Sequence, residues 1–268
     1  MTFLEDWHKV REKTQSTIVA GLDPALPGMR DKNALADGVS VREWCLQYVE
    51  AVAPHVAAIK CNPAYYQYPD GLALMEEIVG LGKAHGLLMI ADYKISDIGS
   101  TNDSWLYFTK KMRFDAVTGA PYAGNVEELI TQAHERDLGI FTMALMSNPE
   151  YQSEMVAIDG SAPLYETRTV RSIEAGVDGI VIGATYEPSN PHLQKVVTLT
   201  KNTTTLFLVP GIGAQGGSIE QFLASGIDKA RCLMNVGRGL MFPNGQRSTP
   251  EEQRAAAQHY QAQVTITS

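Results

Sequence analysis

The stretch ADYKISDIG, residues 91–99, sets Asp92, Lys94 and Asp97 within six positions, directly after the apolar run LLMI. A cation between carboxylates can stabilise negative charge developing on a bound molecule and can deliver a proton to it. Lys60 ends a second apolar run, HVAAIK, and supplies another cation of the same kind. If both runs are strands, Asp92 and Lys94 share one face, because side chains at i and i+2 point the same way. A lone ion in a low-dielectric pocket is costly, whereas an alternating set of charges holds itself together. The same set also suits an ion-pair network that only plugs the end of a sheet. Asp23 closes the run STIVAGLD, where a carboxylate fits a sugar hydroxyl or a metal ligand, or serves as a plain turn residue before Pro24.

Two glycine-rich stretches, VPGIGAQGG and NVGRG, each follow an apolar run. Backbone N–H groups freed there can cradle an anion, and Arg238 adds a planar fork of donors matched to phosphate. Gly211, Gly213 and Gly216 also satisfy GxGxxG, but a dinucleotide fingerprint belongs in an opening βαβ unit, and this one falls near the end of the chain. No HExxH, GxSxG or GxxxxGK[ST] pattern occurs, so metalloprotease, serine-hydrolase and P-loop chemistries lose support. Met143, Met146, Met234 and Met241, with Trp7 and Trp105, read as packing residues.

These groups need a frame. Eight short apolar runs start near residues 16, 55, 87, 115, 139, 179, 206 and 232, and stretches of helical periodicity separate them. NVEELITQAHERD, ETRTVRSIEAG and SIEQFLASG are such helices, the last two ending on a glycine. Eight strand-helix units in 268 residues predict one (β/α)8 TIM barrel spanning 1–268, with a helix over about 3–14 and a polar tail after about 243 that holds one helical stretch, PEEQRAAAQHYQAQ. A doubly wound open sheet is the competing arrangement. In a barrel, the segments Pro24–Val41, Asn148–Tyr165 and Tyr186–Pro191 fall at strand C-termini and are candidate binding loops.

Composition narrows the partners. The chain holds 30 acids against 22 bases, a net charge of −8, which repels nucleic acid and anionic membrane surfaces. It shows neither a signal peptide nor a membrane span, and Cys45, Cys61 and Cys232 are odd in number and widely spaced. A cytoplasmic protein with reduced thiols is the expectation.

Taken together, GLDP, AIKCNPAYY, ADYKISDIGSTN, VPGIGAQGG and NVGRG resemble the orotidine 5′-phosphate decarboxylase family in order and spacing, from about Thr17 to Met241. KCNPAYY and FDAVTGAPYAG are similar to its longer bacterial branch, although Gly119-Ala120 stands where an Asn or similar residue usually precedes Pro-Tyr. The resemblance implies decarboxylation of orotidine 5′-phosphate to UMP without a cofactor or metal. It assigns Lys60, Asp92, Lys94 and Asp97 to the catalytic array, with Asp97, Ile98 and Thr101 lent by the partner of a homodimer. It further implies that Ser147 reads the pyrimidine edge, that Asp23 and Lys60 hold the ribose, and that Gln215 and Arg238 grip the phosphate, with Pro210 and Gly237 lining the same site. Sister enzymes with a DxKxxD strand, the magnesium-dependent 3-keto-L-gulonate 6-phosphate decarboxylases and hexulose-phosphate synthases, are the alternative; they carry an acid where this chain has Lys60. A nucleotide-binding sensor barrel is the non-enzymatic one.

Overall fold

Eight parallel strands close on themselves, each hydrogen-bonded to its sequence neighbours around the ring and the last to the first. The computed structural model describes residues 2–213 and 215–265. The barrel strands are β1 (Ile18–Leu22), β2 (Ala58–Cys61), β3 (Leu88–Ile95), β4 (Ala116–Gly119) and β5 (Gly139–Leu145). After a two-stranded hairpin, β6 (Ile158–Asp159) with β7 (Ala162–Pro163), the barrel resumes as β8 (Gly179–Ile182), β9 (Leu206–Pro210) and β10 (Cys232–Val236). Strands covered on both faces need no polar alternation, which is why they read as continuous apolar runs. Each barrel strand begins within three residues of its expected start, and the closed ring displaces the open-sheet alternative.

The helices are α1 (Phe3–Thr14), α2 (Val41–Val52), α3 (Gly71–Ala84), α4 (Gly99–Lys111), α5 (Val126–Glu135) and α6 (Pro149–Met155). They continue with α7 (Leu164–Glu174), α8 (Pro191–Thr200), α9 (Ile219–Leu223), α10 (Arg238–Met241) and α11 (Pro250–Val264). Apolar side chains fill two layers, one between strands and helices and one inside the ring. α1 closes the N-terminal end of the ring: the Phe3 ring meets Phe141 edge-on at 5.4 Å, and Trp7, fully buried, donates its indole N–H to the Ala230 carbonyl. Gly139 makes room for this plug, since a Cβ there would lie 2.5 Å from the Phe3 ring. With that end covered by α1, the interior of the ring opens at its C-terminal mouth.

Two expectations are corrected and one is met. The Asn148–Tyr165 segment is no plain loop but folds into α6 and the β6–β7 hairpin. The polar tail forms the helix that PEEQRAAAQHYQAQ predicts, with Thr249 and Glu252 capping each other's backbone at the start of α11, and its Gln253 is buried with its amide donating to the Met241 carbonyl. Trp105 is 46% exposed instead of packed in the core.

Candidate active site

β3 stops pairing regularly with β4 after Ala91 and resumes at Ile95, so Asp92, Tyr93 and Lys94 leave the ladder at the barrel mouth. Lys94 adopts the left-handed backbone conformation, φ +51°. A non-glycine residue holds that conformation only where its surroundings fix it. The bend turns Asp92 and Lys94 into the mouth and leaves Tyr93 outside against Trp105, ring centroids 5.0 Å apart.

The charges form a hydrogen-bonded chain. Lys60 Nζ donates to Asp92 Oδ2 at 2.6 Å, and Lys94 Nζ donates to Asp92 Oδ1 at 2.7 Å. Lys60 and Asp92 are nearly sealed, with side chains 6% and 12% exposed, whereas Lys94 is 41% exposed toward the open mouth. Burial alone raises a carboxyl pKa, but Lys60 and Lys94 outweigh it and hold Asp92 below the usual carboxylate range. Burial likewise opposes the charge on Lys60, and the facing Asp92 and Asp23 more than offset it, so its pKa is raised. Asp23 differs: burial dominates and pushes its carboxyl up despite Lys60, while its Oδ1 accepts the Asn62 N–H at 3.3 Å.

The mouth encloses about 450 Å³, within the range of small-ligand sites. Asp23, Lys60, Asp92 and Lys94 lie on one side of it, and Ser147, Pro210, Gln215, Gly237 and Arg238 complete it. Ser147 Oγ lies 3.2 Å from Gln215 Oε1, which ties the loop after β5 to the loop after β9. Glycine at 183 allows this approach, since a Cβ there would come within 2.8 Å of the Ser147 Cβ. Gly213, Gly216 and Gly217 donate their N–H groups to carbonyls within the loop, while Gly211, Gln215, Gly237 and Arg238 line the cavity.

Asp97, Ile98 and Thr101 do not line this mouth. They sit exposed at the start of α4, Ile98 at 62%, with Asp97 Oδ1 accepting the Ile98 N–H. Other lining residues were not singled out from the sequence: Arg30, Asn62, Tyr65, Thr118 and Asn235. Asn62 was within reach of the same i, i+2 alternation that pairs Asp92 with Lys94, counted from Lys60. Thr118 carries no charge and Arg30 lies in an irregular loop, so neither gave a signal. Among the described residues, no three His, Cys, Asp or Glu side chains converge as metal ligands.

The model of the family described as Orotidine 5′-phosphate decarboxylase / HUMPS family matches residues 17–249. The orotidine 5′-phosphate decarboxylase of Halorubrum lacusprofundi is 29% identical over 265 residues, covering 94% of this chain and 92% of that protein. The solved OMP decarboxylase of Leishmania donovani superposes with a TM-score of 0.78 at 26% identity, covering 98% of this chain and 97% of that one. UMP synthase of the same organism gives a TM-score of 0.81 at 28% identity, and there this chain spans only 56% of the longer protein.

Proposed function

The chain belongs to the orotidine 5′-phosphate decarboxylase / HUMPS family, and within it we infer that this protein is the decarboxylase, converting orotidine 5′-phosphate to UMP and CO2 in UMP biosynthesis. The observation that carries this reading is the Lys60–Asp92–Lys94 chain at the barrel mouth.

Loss of CO2 from C6 leaves an electron pair in an sp² orbital that the pyrimidine ring cannot delocalise. The uncatalysed barrier is correspondingly high, and catalysis must supply on the order of 20 kcal/mol. A fixed ammonium beside C6 stabilises that pair as it forms, with little reorganisation and little screening by water. Lys94 fits, since Asp92 anchors it from below while its Nζ faces the open part of the cavity. As the C6–carboxylate bond breaks, the bonding pair stays on C6 and CO2 departs. Lys94 then gives one proton to C6, becomes a neutral amine, and regains the proton from solvent. Asp92 and Lys60 hold it in place throughout.

Asp23 and Lys60 suit the ribose hydroxyls, Ser147 the pyrimidine edge, and Gln215 and Arg238 the phosphate, with Pro210 and Gly237 shaping the wall between. The phosphate grip lies away from the reacting carbon, so its binding energy can be expressed in the transition state. Asp97, Ile98 and Thr101 reach the site of a second copy in a homodimer. The exposed apolar surface beginning there, with Ile98, Trp105 and Phe108 at 62%, 46% and 56%, is the face that a partner covers. Residues 1–268 act as one barrel domain. No helix of the described residues is long and apolar enough to cross a membrane, and with three free, buried cysteines we place the protein in the cytoplasm.

A magnesium-dependent sugar-phosphate activity is disfavoured by Lys60, because a dication beside Asp92 would meet two ammonium groups. The test follows orotidine 5′-phosphate absorbance in excess EDTA, with 3-keto-L-gulonate 6-phosphate as the competing substrate. Full turnover of the nucleotide in chelator is expected. Activity confined to the sugar phosphate and abolished by EDTA would contradict the reading.

A further inference from the structure

We propose that Thr118 is a positioning residue for the reaction, the group that locks the Lys94 backbone and the Asp92 carboxylate into one arrangement. Thr118 lies on β4, fully buried, with its hydroxyl at the wall of the cavity. Its Oγ1 accepts the Lys94 N–H at 3.0 Å and donates to Asp92 Oδ1 at 2.9 Å. That carboxylate oxygen also receives Lys94 Nζ. A hydroxyl has one proton to give, and here its direction is fixed: Lys94 N–H to Thr118 oxygen, Thr118 proton to Asp92.

The need for such a group follows from the break in the ladder. Between Ala91 and Ile95 the regular β3–β4 pairing fails, so a backbone N–H that would otherwise find a carbonyl on β4 is left over. It belongs to Lys94, in the left-handed conformation with φ +51°. Thr118 replaces the lost ladder bond with a side-chain bond and steadies the bend that aims the ammonium. It also fixes which oxygen of Asp92 Lys94 grips, leaving the other to Lys60. Lys94 is thus held at both ends, at its N–H by Thr118 and at its Nζ by Asp92, with Thr118 also bonded to Asp92. Misplacing a reacting group by about 1 Å can cost on the order of a hundredfold in rate.

The inference rests on the decarboxylase reading, and the experiment separates the two. Parent, Thr118→Val and Thr118→Ser are compared for kcat, for KM, and for UMP affinity by calorimetry, with thermal unfolding as the control for folding. Valine keeps the volume and removes the hydroxyl; serine keeps the hydroxyl. The expected result is a fall in kcat of about a hundredfold in Thr118→Val, UMP affinity within about threefold of the parent, and recovery in Thr118→Ser to within about tenfold. A Thr118→Val enzyme within about threefold of parental kcat overturns the proposal, and so does a serine variant as slow as the valine one, which would make the methyl group the important part. If Thr118→Val does not fold, Thr118→Ser against Thr118→Ala decides on the same criteria. An inactive parent would instead overturn the functional reading itself.

Discussion

At the scale of single residues, burial divides the site into a sealed half and an open half. Lys60 and Asp92 are sealed and charged, and their opposite pKa shifts mean that the pair stays ionised throughout the neutral range. Asp92, lowered in the folded state, stabilises the fold above its unfolded pKa and ceases to only as acid protonates it. Lys60, raised in the folded state, contributes below its unfolded pKa and ceases to only in strong alkali. Arg238 belongs to the open half, half-buried at the cavity wall, where the proposed reading has it meet the phosphate. Charge-assisted hydrogen bonds to phosphate are worth about 1.5–3 kcal/mol each, so we predict that Arg238→Ala weakens UMP binding roughly ten- to a hundredfold. Uridine affinity should be unchanged. Calorimetry with both ligands checks this, and equal losses for the two would remove Arg238 from the phosphate site.

At the scale of elements, the N-terminal face of the barrel carries its own titratable contact. His134 on α5 lies with Nε2 2.9 Å from Asp178 Oδ2, and the same oxygen accepts the Ile140 N–H at the start of β5. Asp6, Lys110, Asp115 and Asp137 line the same cavity. The Asp178 hydrogen bond raises the His134 pKa despite partial burial. A raised histidine stabilises the fold fully below its unfolded value near 6.5 and loses that contribution as pH rises through the folded value. We therefore predict that His134→Asn lowers the thermal midpoint more at about pH 5.5 than at about pH 8.5. An equal shift at both would disprove the linkage.

The elements also show what sequence could reveal. Strand positions were legible because both faces of each strand are covered and apolar, and Asp92 with Lys94 because alternation puts them on one face. The bend at Lys94 was not, since it depends on an uncharged hydroxyl supplied by β4. The glycine loop after β9 was visible as a turn, yet the N–H groups of Gly213, Gly216 and Gly217 bond carbonyls of the loop itself, which only the backbone path reveals. Trp105 read as core because large aromatics usually are, whereas here it stands on an open face of α4.

For the whole molecule, the barrel is a frame that carries sealed charge at one end and a plug at the other. On the proposed reading, Asp97 completes the site from a second copy. Mixing inactive Lys94→Ala and Asp97→Ala protomers under subunit exchange should restore about a quarter of parental activity per total site, since half the two-fold dimers are hybrids with one intact site each. No recovery after verified exchange would place Asp97 outside the partner's site. The central claim concerns Lys94 alone, and its most direct test is turnover of orotidine 5′-phosphate by Lys94→Ala with UMP affinity measured beside it. The account predicts loss of at least about a thousandfold in kcat with UMP still bound. A variant that keeps a tenth of parental turnover would contradict it.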